Sequence, residues 1–224
     1  MATTKIEASN IATGAVPSTG FTSVQVFTAA STWTRPTDIT KVIVEVQGGG
    51  GGSGSGATNW GFGGSGGSAG YAKKFVSVSS VANAVISVGA GGIKNAGTSA
   101  GDSSWIDTAH GGSSTITGGL GGNGANGGSG PTHGAGGAAG TATGGDINIP
   151  GGNGAYGHTD SASTTIPSFL SSGPSNGMMR TALSYGAALA GTAYGSGAAA
   201  GRGNNVAIDG ADGAAGIVIV WEYK

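Results

Sequence analysis

The residues of this chain able to do chemistry are few and far apart. His110, His133 and His158 stand 23 and 25 residues from one another. Only folding could assemble them as a metal trio, and isolated loop histidines read as surface groups or sugar contacts. Asp209 and Asp212 could ligate calcium, but the ligand-rich spacing of a dedicated calcium loop is missing, so they read as a solvated turn. Zero cysteines remove thiolate chemistry, disulfides and cysteine metal sites. Glycine creates false matches elsewhere. Gly61 to Gly66 and Gly119 to Gly124 both fit GxGxxG, yet that phosphate site needs a strand before it and a helix after it. Gly63 to Gly67 and Gly66 to Gly70 fit GxSxG, and the nucleophile elbow makes the same demand. No helix is available to either. GK[ST] and HExxH are absent, and the sparse Asp and Glu give little support to a depolymerase with paired carboxylates in a cleft. The expectation is a protein with no catalytic residues, no cofactor and no metal.

What remains is contact chemistry, carried by aromatic rings. Phe27, Trp33, Phe75, Trp105 and Trp221 lie in or beside strand patterns and are expected in a core. Trp60, Phe62, Tyr156, Phe169, Tyr185 and Tyr194 lie in glycine-rich or distal parts, where little else can bury them. An amphipathic ring on a rigid small-residue platform suits a sugar face or a protein loop and needs little entropy to fix. The opposite reading makes these rings plugs between layers. With His158 they form the candidate receptor-contact set, Trp60 and Tyr156 first.

Positioning such rings falls to an unusual backbone. Glycine makes up 51 of 224 residues, about 23% against an ordinary ~7%, while charged residues are 8%. In Gly118 to Gly130, GGLGGNGANGGSG, the larger side chains fall at Leu120, Asn123, Asn126 and Ser129, one every third residue. Helices repeat every 3.6 residues and strands every two, whereas the extended left-handed helix of the polyproline II type has three residues per turn. Glycine is required there if neighbouring chains press on two of the three faces, which is polyglycine II packing. Collagen shares the period but needs abundant proline in a long unbroken register, and the chain has 6 prolines. A flexible Gly/Ser linker has no reason to keep a phase.

The strands surround these runs. Lys41 to Gln47, KVIVEVQ, sets Val42, Val44 and Val46 on one face with Ile43 and Glu45 opposite. Similar alternation predicts strands from Phe21, at Tyr71 to Val78 and at Ala84 to Val88, with a shorter pair at Ser103 to Ile106 and Asp107 to His110. Ile217 to Tyr223 is so apolar that it is expected inside a sheet and covered on both faces. The fold class is therefore all-β, an antiparallel β-sandwich-like base with large glycine-rich excursions packed as polyglycine II helices. The base spans residues 21–117 and 216–224, the excursion with its distal loops 118–215, and residues 1–20 form a connector or docking segment.

Net charge is -1 with scattered basic residues, so no footprint for nucleic acid or an acidic membrane is visible. The N-terminus lacks a basic flank and apolar run of the secretory kind, and no stretch of ~20 apolar residues could span a bilayer as a helix. Work outside a cell would then follow lysis or incorporation in a particle.

VQVFTAASTWTRPTDITKVIVEVQGGGGG, followed by GGSAGYAKKFVSV, AVISVGAGG and the terminal GAAGIVIVWEYK, resembles the glycine-rich domain of bacteriophage tail-fibre and receptor-binding proteins. The most specific parts are the Trp33-Thr34-Arg35-Pro36 turn, the Gly48 to Gly52 run, the Gly70-Tyr71-Ala72 restart and the strand from Gly216 through Ile219. A weaker, compositional likeness links the excursion to the polyglycine II fibre-tip adhesins of T-even-type phages. The resemblance implies a noncatalytic adhesin at the virion's tail-fibre tip. Its partners would be a host cell-surface glycan or outer-membrane protein and other fibre or virion proteins, with three copies around an axis. The distal loops match no relative residue by residue, so ligand identity is not inherited. Two rivals come from other classes. One is a purely structural virion protein, a decoration or spacer. The other is an ice- or mineral-binding surface, which lacks a continuous row of threonines.

Overall fold

The valine alternation of Lys41–Gln47 lies at the middle of one sheet. The computed structural model describes residues 20–58, 61–107, 114–128, 132–157, 187–201 and 206–224. The expected connector, apart from Gly20, lies outside them. Within the described residues ten strands run in chain order: β1 (Phe21–Phe27), β2 (Ser31–Thr34), β3 (Lys41–Gln47), β4 (Tyr71–Ser77) and β5 (Asn83–Ser87). They continue as β6 (Ser103–Asp107), β7 (Ser114–Gly118), β8 (Ala142–Thr143), β9 (Ile147–Ile149) and β10 (Ile217–Tyr223). No helix occurs among the described residues. One five-stranded sheet has the order β1-β10-β3-β4-β9 and the other β2-β5-β6-β7-β8, every pairing antiparallel. The all-β reading holds.

The two sheets enclose the core. Val220 stands opposite Val44 and Val218 opposite Val46, and this row meets Trp33, Ile86, Trp105 and Ile116 of the other sheet. Burying side chains of this size stabilises by roughly 1.5–3 kcal/mol each. Trp33 and Trp105 pack ring to ring at 5.0 Å. Glu222 is buried on the same inner face, and its carboxylate accepts hydrogen bonds from Trp33 Nε1 (2.8 Å), Gln25 Nε2 (2.7 Å) and Ser23 Oγ. Asp107, also buried, accepts from Trp105 Nε1 at 3.3 Å.

Three expectations are corrected. β10 does pair between β1 and β3, but only its inner face is covered, because Ile217, Ile219 and Trp221 point to the outer face of the sheet and are half-buried. Phe75 shares that outer face opposite Ile43 and is 53% exposed, so it is not core. Asp107 ends β6 rather than beginning its partner, which is β7. The strands β2, β7, β8 and β9 also escape the pattern reading: β2, β7 and β8 are short and built largely from Ser, Thr, Ala and Gly, and β9, Ile-Asn-Ile, has three residues. β8 and β9 bring the middle of the excursion back to the edges of the two sheets.

Beyond the strands the chain runs as extended rods. In the 48–57 rod, Gly48, Gly51 and Gly54 donate backbone N–H groups to Gly70, Gly67 and Gly64, while Gly50, Ser53 and Gly56 donate to Ala214, Ala211 and Ile208. In the 61–70 rod, Gly64, Gly67 and Gly70 donate to Ala125, Gly122 and Gly119, Ser65 and Ser68 to Ala155 and Gly152, and Gly66 and Ala69 to Ala198 and Gly195. Partners that change every residue and repeat every third one are the bonding of polyglycine II, with neighbours on three sides. A Cβ on Gly51 would lie 1.9 Å from the carbonyl oxygen of Gly122, and one on Gly66 would lie 2.0 Å from that of Gly51. Glycine there is a condition of assembly.

Candidate functional site

The rods share one end. Gly48, Gly70, Gly118 and Gly216 adjoin strands, so the opposite end carries the crossovers. There, Phe62 bridges to His133 with their rings stacked at 6.3 Å, Gly157 donates to Gly134 O at 3.0 Å, and Gly56 pairs with Ile208. The chain leaves this end after residues 58, 128, 157 and 201 and is next described at 61, 132, 187 and 206. Trp60, His158, Phe169 and Tyr185 fall in the intervening stretches, outside the described residues.

The other three candidate residues separate. Tyr156 is 74% exposed, one residue from the crossover end, on a rod that bonds the 61–70 and 132–141 rods. Its ring is open to solvent on a hydrogen-bonded rod. Phe62 is 5% exposed and packed inside the rod end, which leaves it little surface to offer. Tyr194 is 42% exposed but sits on a turn at the strand end. Ala155 meets Ser65, whereas Gly195 meets Ala69; four residues at ~3.1 Å each set these levels about 12 Å apart along the axis. Tyr156 and Tyr194 therefore do not share one patch.

The residues that hold the rods were partly missed. The 48–57 rod lacks a full neighbour on its third face, and asparagine side chains stand in for it. Asn123 Oδ1 accepts the N–H of Gly52 at 2.8 Å and Asn126 Oδ1 that of Ser55 at 2.9 Å. Their Nδ2 groups donate onward to carbonyls of the 93–98 loop, Asn123 to Gly97 (3.0 Å) and Thr98 (3.1 Å), Asn126 to Asn95 (3.2 Å). Asn153 Oδ1 does the same for Ala139 N–H at 2.8 Å. Asn at every third position was the available signal. An amide side chain is the one side chain that copies a peptide group's donor and acceptor.

Asp209 and Asp212 brace the same loop. Lys94 Nζ lies 3.0 Å from Asp209, Asn95 Nδ2 donates to Asp209 at 3.2 Å, and Asp212 accepts the Lys94 N–H at 2.8 Å. The hydrogen bonds from Lys94 and Asn95 hold the Asp209 carboxyl below its ordinary pKa. Among the described residues no group of three His, Asp or Glu is placed to hold a metal ion.

No curated protein sequence matches the chain. A family model for a glycine-rich domain matches residues 25–223, from within β1 to the end of β10. That span takes in both sheets and all the rods, and the chain belongs to this glycine-rich domain family.

Proposed function

We propose that the protein is a noncatalytic adhesin at the tip of a phage tail fibre, binding a host cell-surface glycan or outer-membrane protein through the crossover end of its rods. The observation that carries the reading is that the described rod ends at 58, 61, 128, 132, 157, 187, 201 and 206 lie at one end of a hydrogen-bonded glycine lattice. Such a lattice fixes contact groups in advance, and freezing each side chain at the moment of binding would otherwise cost about 0.5 to 1.5 kcal/mol. Tyr156, exposed on a rigid rod at that end, supports it. The resemblance to tail-fibre domains supplies the virion setting, and many copies on a particle would raise a weak contact to useful avidity.

The test is binding of the purified, fluorescently tagged protein to bacterial cells with and without surface polysaccharide, beside a Trp60→Ala, Tyr156→Ala double variant. Strain-specific labelling that the variant loses supports the adhesin. A folded protein that labels no strain moves the reading to a purely structural virion protein. Burial of Phe62, one of the candidate contact rings, is the observation that favours this rival.

A further inference from the structure

The second sheet covers only the inner face of β1-β10-β3-β4-β9, and the outer face carries apolar side chains in register. Val24 stands opposite Trp221, Trp221 opposite Ile43 and Ile43 opposite Phe75. This row crosses four neighbouring strands, roughly 15 Å at the usual strand spacing. Val26 and Ile219 form the next row on one side of it, Phe21 and Tyr223 on the other. The Phe21 ring lies 6.1 Å from Trp221 and 5.9 Å from Tyr223, which joins the rows into one surface. Phe21 is 57% exposed, Val24 43% and Val26 56%, and Phe75 is as open; the other four are half-buried.

Single exposed apolar residues are ordinary, but a contiguous patch of more than a few hundred Å² marks an interaction site. At usual side-chain sizes these eight residues expose roughly 500 Å², and the polar rim of Lys41 and Lys73 brings the face near the ~800 Å² that each partner of a stable complex buries. Charge on the borders is largely neutralised within the chain. Lys73 Nζ lies 3.2 Å from Glu45, and Lys224 Nζ, next to Tyr223, lies 3.6 Å from Asp38. Such a face has little with which to select an oppositely charged partner, whereas an identical apolar face matches it.

We infer that this face is a two-fold interface with a second copy of the chain, sheet packed on sheet at about 10 Å. A surface that pairs with itself closes at two copies, and homodimer interfaces are the more apolar kind. Shape agrees with charge. The small Val24 lies at one end of the row and the large Phe75 at the other, so an axis along the strands between β10 and β3 sets Val24 of each copy over Phe75 of the other. The inference stands independently of the adhesin reading, since it uses the β base and leaves the crossover end of the rods free.

The experiment measures the mass of the purified chain by sedimentation equilibrium from about 1 to 200 μM, with circular dichroism confirming the fold of each variant. A dimer is expected, weakened at least about a hundredfold by Phe75→Lys or Val26→Lys. Val85→Lys, at a position 50% exposed on the outer face of the other sheet, should leave it unchanged. The chain has no cysteine, so Phe75→Cys supplies a single thiol whose labelling should slow as the dimer forms. A monomer or a trimer overturns the proposal, and so does a dimer that Phe75→Lys leaves intact. In a monomer, a thiol that resists labelling would assign the face to another segment of this chain and a reactive one to a different protein, and either result overturns the pairing of copies.

Discussion

The side-chain oxygen of Asn123 accepts the backbone N–H of Gly52 at 2.8 Å, in the place where a further glycine rod would have offered its carbonyl. Its amide nitrogen then reaches Gly97 and Thr98 on the 93–98 loop. Asn123→Ala removes both functions and leaves backbone groups unmatched at the lattice edge. The expected loss is about 1–3 kcal/mol, seen as a lower urea midpoint. Asn123→Asp keeps the acceptor and loses the donors, so it should fall between the two. An alanine variant as stable as the parent would mean that water serves Gly52 equally well.

Glycine at the rod contacts can be tested against neighbours in the same rods. Gly51→Ala places a methyl 1.9 Å from Gly122 O, and backbone has no rotamer with which to yield. Overpacking of this kind typically costs 1–3 kcal/mol, and about 3 or more is expected where two main chains must separate. Ala125→Ser and Ala135→Ser, at exposed positions on the adjoining rods, should change the melting temperature little. Equal effects at both kinds of site would contradict the packing described here.

How far the chain could be read in advance follows from the same residues. Lys41–Gln47 announces itself because its valines alternate and Ile217–Tyr223 because it is a nearly continuous apolar run, and both strands occur with those bounds. β8 has two residues and β9 three, too few for any period to emerge, and they form because the 118–141 rods deliver them to sheet edges. Phe75 and Trp221 were misassigned because alternation gives two faces without saying which one a second sheet covers. At the candidate site the three-residue phase gave the rods. It did not give their roles, since Asn123 bonding to Gly52 depends on which rods become neighbours, a long-range fact. Tyr156 and Tyr194 looked alike in sequence for the same reason.

Glu222 binds three parts of the sandwich. Its carboxylate is buried and faces only donors, Ser23 and Gln25 of β1 and Trp33 of β2. Glu222→Gln would turn an N–H₂ group toward at least one of those donors and strand it. A loss of about 1–3 kcal/mol is expected, with a change in the tryptophan fluorescence of the Trp33–Trp105 pair in the folded state. Glu222→Ala should lose more, since the Trp33 N–H is then unmet in a dry core. Full stability in the Gln variant would show that the site accommodates a neutral amide.

Alkaline pH should loosen the base through Tyr71. Burial, and then the nearby Glu45 carboxylate, push the Tyr71 phenol well above its ordinary value of 10.0. The folded protein thus holds this proton more tightly than the unfolded chain does. Below pH 10 both states are protonated and the contribution is complete; as pH climbs from there through the raised folded value, the unfolded state ionises first and stability falls. Tyr71→Phe keeps the ring and removes the titrating group. Its unfolding free energy, measured by urea titration across the alkaline range, should decline less steeply above pH ~10 than that of the parent. The difference between the two proteins cancels what the lysines and other tyrosines contribute in common. Parallel alkaline limbs would mean that Tyr71 ionises without resistance in the folded state, and that the environment made by Glu45 and the sheet is wetter than its burial indicates.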